Sequence, residues 1–163
     1  MIKTLFTSLL VFYSSFSVGE NTIVGLYNDN VITLNQLNSI AKKNESKEQK
    51  ILAIQALISE KIEIDFINKF KIEPTAASIK DELEKIAKQN NISFEQLKQI
   101  ANFEEIYSIV FLKLSKIGLR QVVVNKDKAD PIPVNSPEGI SLYQNWLKKA
   151  KEKMYIEIFE DKL

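Results

Sequence analysis

A mainly helical single domain, with a few short strands near the two chain ends, is predicted by three features of this 163-residue sequence. The longest uninterrupted helical pattern runs from Ser46 to Phe70 and carries apolar residues on several sides. Shorter helical patterns on both sides of it begin at Ser, Thr or Asn, the residues that favour helix N-caps. Short β-prone runs lie close to both ends of the chain. We therefore expect about six helices packed around one long central helix.

The central helix should begin at a capping box formed by Ser46 and Gln49. No Gly or Pro follows before Pro74, which allows about seven helical turns. One row of apolar residues consists of Ile54, Ile58, Ile62, Phe66 and Phe70, and further apolar residues on other sides are Leu52, Leu57, Ile64 and Ile67. A helix on the protein surface shows a single apolar stripe, so this one needs cover from several directions.

The remaining elements follow from local patterns along the chain. Before the central helix we predict a strand over Thr22–Tyr27, a turn, a strand stub at Val31-Ile32 and a short helix capped by Thr33 and Gln36. After it we predict three helices: one with Pro74 in its first turn that ends near Asn90, a short one from Ser93 to Ile100, and one from Asn102 to near Gly118. A strand over Gln121–Val124 and a loop over Asn125–Ser136 should follow. The last helix should start at Ser136-Pro137, with Ile140, Tyr143, Trp146, Leu147 and Ala150 facing inward, and a strand should lie within Met154–Phe159.

Residues 1–19 have the pattern of a secretory signal peptide. Lys3 precedes an apolar run over Leu5–Tyr13, and small residues follow up to Gly19. The run is shorter than the roughly 20 residues that span a bilayer, so we expect cleavage rather than stable membrane insertion. The predicted location is the periplasm or the exterior of the cell, and the predicted mature domain is 20–163.

Composition excludes several classes of function. The sequence contains no His and no Cys, which rules out Ser-His-Asp and Cys-His nucleophiles and the usual zinc sites. Its four Gly residues form no phosphate-binding loop. Without Lys3 the 21 basic and 21 acidic side chains balance, which argues against nucleic acid as a partner. We expect a non-enzymatic protein with no cofactor and no metal; a carboxylate-based hydrolase is the one enzyme class that the composition leaves open.

Large apolar side chains are the more informative feature for function. Aromatic residues are frequent for a small domain, and most of them should lie in the core. Junctions between short helices and the central helix leave concave places where a few remain exposed. We select Phe94, Phe103 and Tyr107 as the candidate client-binding residues.

The order of these segments resembles the N-terminal chaperone domain of SurA-type periplasmic proteins. The resemblance is carried by the stretches 57–62 (LISEKI), 70–72 (FKI) and 86–97 (IAKQNNISFEQL), by the strand-turn-helix pattern 24–37 (VGLYNDNVITLNQL) and by the closing pattern 146–158. It covers most of residues 22–159. It implies an ATP-independent holdase for unfolded outer-membrane or secreted polypeptides.

The sequence departs from that family at one place. Relatives of this type carry parvulin prolyl-isomerase domains before the final helix, whereas this chain has only the loop 125–136 there. Parvulin chemistry also normally relies on histidines, which this chain lacks. We therefore expect no isomerase activity. The alternative to a holdase is a secreted or periplasmic binding subunit dedicated to one protein partner; the sequence leaves the oligomeric state open.

We predict that export removes the first 19 residues. The reason is the charged start, apolar run and small-residue exit described above. The intact mass of protein recovered from the periplasm should match a chain that begins at or within two residues of Glu20. A mass that includes Met1 would contradict this prediction.

Overall fold

The computed structural model describes residues 22–42, 45–126 and 128–163, so the predicted signal peptide lies outside the described residues. The described elements are strand β1 (Ile23–Tyr27), strand β2 (Asn30–Thr33), helices α1 (Leu34–Ile40), α2 (Lys47–Phe70), α3 (Ala76–Gln89), α4 (Phe94–Lys98), α5 (Phe103–Val124) and α6 (Pro137–Lys151), strand β3 (Ile156–Ile158) and a final 3₁₀ turn (Glu160–Lys162). The predicted fold class, mainly α with six helices around a long central helix, is confirmed.

Helix α2 is the central element, as predicted. Ser46 and Gln49 form the expected capping box, with both reciprocal hydrogen bonds present. Ile54, Ile58 and Ile62 are fully buried against the sheet, α1 and the end of α6. The predicted row does not stay buried to its end, because Phe70 is 43 % exposed. The helix ends at that point, where Lys71 takes a left-handed conformation (φ 52°) and turns the chain away.

The sheet joins the beginning and the end of the described chain. Its strand order is β2-β1-β3, and both pairings are antiparallel. Val24 and Ile32 are completely buried on the side that faces α2. At Gly25 a Cβ atom would lie 3.3 Å from Ile54 Cγ2 and 3.3 Å from the Glu157 carbonyl oxygen. A larger residue would therefore push the sheet away from the helix.

Helix α5 differs most from the sequence prediction. We predicted its end near Gly118 and a strand over Gln121–Val124, but the helix is continuous from Phe103 to Val124. Gly118 is an approach point for Ile72, whose Cγ2 would lie 2.7 Å from an added Cβ. Val124 is buried with Leu119 in a tertiary cluster. Burial in that cluster outweighs the β propensity of the valine run.

Four local predictions were also wrong. Pro74 precedes the N-cap Thr75 instead of lying in the first turn of α3. Helix α4 ends at Lys98, short of Ile100. Asn102 makes no side-chain cap hydrogen bond. Ile140 is 49 % exposed and does not face inward, since Tyr143 and the buried residues one turn further along α6 occupy the contact face.

The core consists of three clusters that share the long helices. The first lies between the sheet, α1, α2 and the end of α6; the second lies between α3, α4 and the first half of α5; the third joins the end of α2 to the second half of α5 and to Tyr143. The segment 128–136 is tied to α5 through the Asn125 side chain, whose Oδ1 accepts a hydrogen bond from the Ile132 backbone N–H at 2.6 Å. These contacts place the segment across the end of α5.

We predict that Gly139→Ala destabilises the protein by roughly 1–3 kcal/mol, the usual cost of overpacking. A Cβ at this position would lie 2.5 Å from the Pro133 carbonyl oxygen and 3.0 Å from Val134 Cα, both of them backbone atoms. Urea denaturation followed by far-UV circular dichroism measures the change. Ser141→Ala, at an exposed position of the same helix, is the matched control and should leave stability within about 0.5 kcal/mol. Equal stability of the two variants would show that segment 133–134 does not pack on α6 as described.

Candidate functional site

A groove of about 510 Å³ lies between α2 and α5 and is here called the α2–α5 groove. Its lining residues are Glu60, Ile109, Leu112, Lys113, Lys116, Ile117, Arg120 and Asn135. Six of these come from α5 at spacings of three and four residues, so they form one face of that helix. An adjoining face of α5, with Val110 and Leu114, packs on α3. The fold therefore leaves the groove face of α5 uncovered by α3.

A partly buried polar network lies beneath the groove, where α2, α5 and α6 meet. The Tyr143 hydroxyl donates a hydrogen bond to Glu63 Oε1 at 2.7 Å, although Glu63 belongs to the least exposed part of α2. Lys116 Nζ lies 3.6 Å from Glu63 Oε2 and 2.6 Å from Glu60 Oε1. Glu63 thus has both a donor and a cation close by, which offsets the cost of burying a carboxylate.

Burial and the Glu63 carboxylate change the titration of Tyr143. Loss of solvent is the largest cause that raises the pKa of the Tyr143 hydroxyl, and its hydrogen bond to Glu63 raises it further. The nearby Arg120 acts in the opposite direction but does not reverse the shift. Tyr143 is therefore neutral, and able to donate to Glu63, throughout the physiological pH range.

Arg120 is the single arginine of the sequence, and its position is unusual. Its guanidinium carbon lies 5.2 Å from the centre of the Tyr143 ring, a cation–π distance. Its Nε atom is buried and has no hydrogen-bond partner, the one such side-chain atom found among the described residues. A buried donor without a partner is costly, and burial closes this atom to ligands. A ligand in the groove would meet Arg120 through the rest of its guanidinium group.

The other two groove cations already have partners. Lys113 Nζ lies 2.5 Å from Glu82 Oε1, and the hydrogen bonds from Lys113 and Lys85 lower the pKa of Glu82. Lys116 pairs with Glu60 and Glu63, as described above. Arg120 is not among the ion pairs formed by the described residues. The charge available to a ligand in this groove is therefore concentrated at Arg120.

The apolar part of the groove is centred on Ile109. This residue is 60 % exposed, and Leu112 and Ile117 on the same helix face are partly exposed. A large aliphatic side chain at the edge of a concave surface is a favourable contact for another apolar chain. The groove thus combines an apolar half near Ile109 with a charged end at Arg120.

The three predicted client-binding residues lie elsewhere, around α4 and the start of α5. Phe94 and Phe103 are half-buried and pack against the second core cluster. Tyr107 is 37 % exposed, and its ring centre lies 6.4 Å from that of Phe103. The structure therefore brings Phe103 and Tyr107 together on one face of α5, but none of the three residues lines the α2–α5 groove. Their role in binding stays a prediction.

The sequence reasoning missed Ile109, Lys116 and Arg120. Ile109 falls outside the apolar stripe of α5, which was a usable sign of exposure. Arg120 is the only arginine in a sequence with 21 lysines, and this contrast could have indicated a position with a special role. Lys116 carried no signal, because its partners Glu60 and Glu63 lie more than 50 positions earlier in the chain.

The described part of the chain offers neither a carboxylate cluster for a metal ion nor a helix that could cross a membrane. No group of three or more carboxylates comes together there in a way that would hold a metal ion. None of the helices formed by residues 22–42, 45–126 and 128–163 is long and apolar enough to cross a membrane.

Comparison of the chain with protein-family models and with curated proteins finds no match.

We predict that Tyr143→Phe lowers stability by about 1–3 kcal/mol, since Glu63 loses a hydrogen-bond donor in a buried place. The change should also reduce the loss of stability at alkaline pH. A tyrosine whose pKa is raised by folding favours the neutral form, so the native state is penalised as pH rises above about 10, where the unfolded chain ionises. Urea denaturation at pH 7 and at pH 10.5 measures both effects.

The matched control for this variant is Tyr107→Phe, at a partly exposed position. It should leave the stability at pH 7 within about 0.5 kcal/mol of the unmodified protein. A Tyr143→Phe variant as stable as this control would show that the Glu63 contact does not contribute to folding.

Proposed function

We propose that this protein is an ATP-independent periplasmic chaperone, a holdase that binds unfolded outer-membrane or secreted polypeptides through an apolar surface and lacks prolyl-isomerase activity. The observation that carries the proposal is the α2–α5 groove with Ile109 at its edge. The groove is open, is formed by side chains of two long helices, and offers aliphatic contacts to an extended chain. The resemblance of the ordered segments to SurA-type chaperone domains supports the same function.

Binding in such a groove is expected to be weak and reversible. An exposed apolar patch of the size common on monomeric proteins, roughly 400 Å², contributes about 10 kcal/mol at ~25 cal/mol/Å², which is an upper bound for this smaller groove. Association removes about 4–15 kcal/mol through lost motional freedom, so at most about 6 kcal/mol remains, which corresponds to a Kd of roughly 40 μM or weaker. A holdase without an energy source needs this reversibility, because it must release its clients unaided. The sequence contains no glycine-rich loop that would bind the phosphates of a nucleotide.

The predicted residues Phe94, Phe103 and Tyr107 form a second candidate contact surface in this proposal. Tyr107 is the most exposed of the three and lies beside Phe103. Because it is on a different face of α5 from Ile109, an extended client could contact both surfaces only by crossing that helix. Variants at the two positions therefore separate the two surfaces.

A binding subunit dedicated to one partner is the second candidate function. It is favoured by Arg120, a groove-lining cation outside the ion pairs formed by the described residues. A fixed polar group of this kind gives orientation and selectivity, whereas a promiscuous surface depends on apolar contact. A saturable 1:1 complex with one periplasmic protein, without protection of unrelated unfolded proteins, would support this candidate.

We predict that the mature protein slows the aggregation of a denatured outer-membrane protein without ATP, and that Ile109→Ser weakens this protection by about three- to tenfold in the concentration required. The estimate follows from the removal of one large exposed aliphatic side chain, worth roughly 1 kcal/mol of contact. Light scattering at low and high salt is the measurement. Protection should persist in high salt, since screening weakens exposed charge pairs but not apolar burial.

Leu52→Ser is the matched control, because Leu52 is 63 % exposed on α2 and does not line the groove. Tyr107→Ser tests the second surface, and an assay of X-Pro isomerisation in a short peptide should show no catalysis. Equal loss of protection in the Leu52 and Ile109 variants would exclude the groove as the contact surface. No protection at several-fold molar excess of the unmodified protein would contradict the holdase function itself.

A further inference from the structure

We infer that the Arg120 end of the α2–α5 groove binds the C-terminal carboxylate of an unfolded polypeptide whose last residues are apolar. This inference rests on the proposed function and names the part of the client that the groove selects. It follows from the charge at Arg120, from the geometry of that end of the groove and from the apolar side chains along the rest of it.

Arg120 is the groove cation that has no acidic partner among the described residues. Lys113 and Lys116 are neutralised by Glu82 and by Glu60 and Glu63, respectively. Arg120 lines the groove, lies against Tyr143 and is not in any ion pair formed by the described residues. A guanidinium binds a carboxylate through two parallel N–H groups, and its terminal edge, formed by the two Nη atoms, is one of the edges that does so. A carboxylate on this terminal edge would give Arg120 the anionic partner that the ion pairs of the described residues do not provide.

The groove is closed at its Arg120 end by the segment that precedes α6. Asn135 lines the groove next to Val134, which lies with Gln121 and Val122 in a neighbouring depression at the end of α5. The segment before α6 therefore crosses α5 just beyond Arg120. A polypeptide lying in the groove meets this segment, so a chain terminus fits there better than a chain that must continue. The Asn135 side-chain amide adds a further N–H donor at the same end.

The length of the groove sets how many residues of an extended chain it can hold. Ile109 and Arg120 are eleven positions apart on one helix, which corresponds to about 16 Å along its axis. An extended chain of about five residues covers the same distance. With the terminal carboxylate at Arg120, the preceding side chains reach Ile117, Leu112 and Ile109, which are the apolar part of the lining. The groove therefore fits an apolar C-terminal segment of about five residues.

The inference is tested with fluorescently labelled six-residue apolar peptides and the complete mature protein. One peptide has a free C-terminal carboxylate, the second has a C-terminal amide, and the third is amidated but carries an internal Glu. Fluorescence anisotropy should show that the free acid binds at least about tenfold more tightly than either amidated peptide. Arg120→Gln should bind the free acid as weakly as the amide, while Lys149→Gln, an exposed change on α6, should keep the preference.

Three results would overturn the inference: equal binding of acid and amide, a preference that survives in Arg120→Gln, or an internal Glu that binds as tightly as the free terminus. If Arg120→Gln does not fold, as judged by circular dichroism, the three peptides on the unmodified protein still decide the matter. Arg120→Lys keeps the positive charge but cannot bind a carboxylate through two parallel N–H groups. This variant should therefore show an intermediate preference for the free acid over the amide.

The outcome is separable from that of the holdase proposal. Protection of denatured clients combined with equal binding of acid and amide would remove only the carboxylate inference. Arg120-dependent binding of the free acid without protection of any client would retain the inference and remove the holdase function. The second result would also favour the dedicated binding subunit.

Discussion

The burial of helix α2 is the constraint on which the rest of the structure depends. Its isoleucines face the sheet, α1 and the end of α6, while Ile67 at its other end packs with α5 and Tyr143. No single neighbour covers these sides, so the chain must bring its first strand and its last strand together over the same helix. The pairing of β1 with β3 is the consequence, and it holds both ends of the described chain in one unit.

The meeting point of α2, α5 and α6 carries a cost that the apolar core alone does not explain. Glu63 is buried there, with one donor from Tyr143 and a cation at Lys116. Replacing a whole buried ion pair by well-packed apolar residues often leaves stability unchanged or raises it, whereas removing one partner alone is strongly destabilising. The same meeting point positions Arg120, which lines the groove, beside Tyr143.

The surface of α5 is divided between two apolar regions with different surroundings. Phe103 and Tyr107 lie next to the second core cluster, and part of their area contributes to folding. Ile109 contributes little to any core cluster and borders the groove with its charged end. An exposed side chain that does not stabilise the fold is free to contact another molecule, which is why the functional proposal is placed at the groove.

Local sequence patterns were sufficient for the elements whose ends are set by neighbouring residues. The capping boxes at Thr33, Ser46 and Ser93, and the start of α6 at Ser136, all have the predicted hydrogen bonds. Local patterns gave wrong or no predictions where contacts with residues distant in the sequence determine the structure. Gly118 and the valines after it remain helical because Ile72 and the third cluster pack on them, and Arg120 meets Tyr143 from another helix. Capping energies are local, whereas burial and charge pairing depend on which segments the fold brings together.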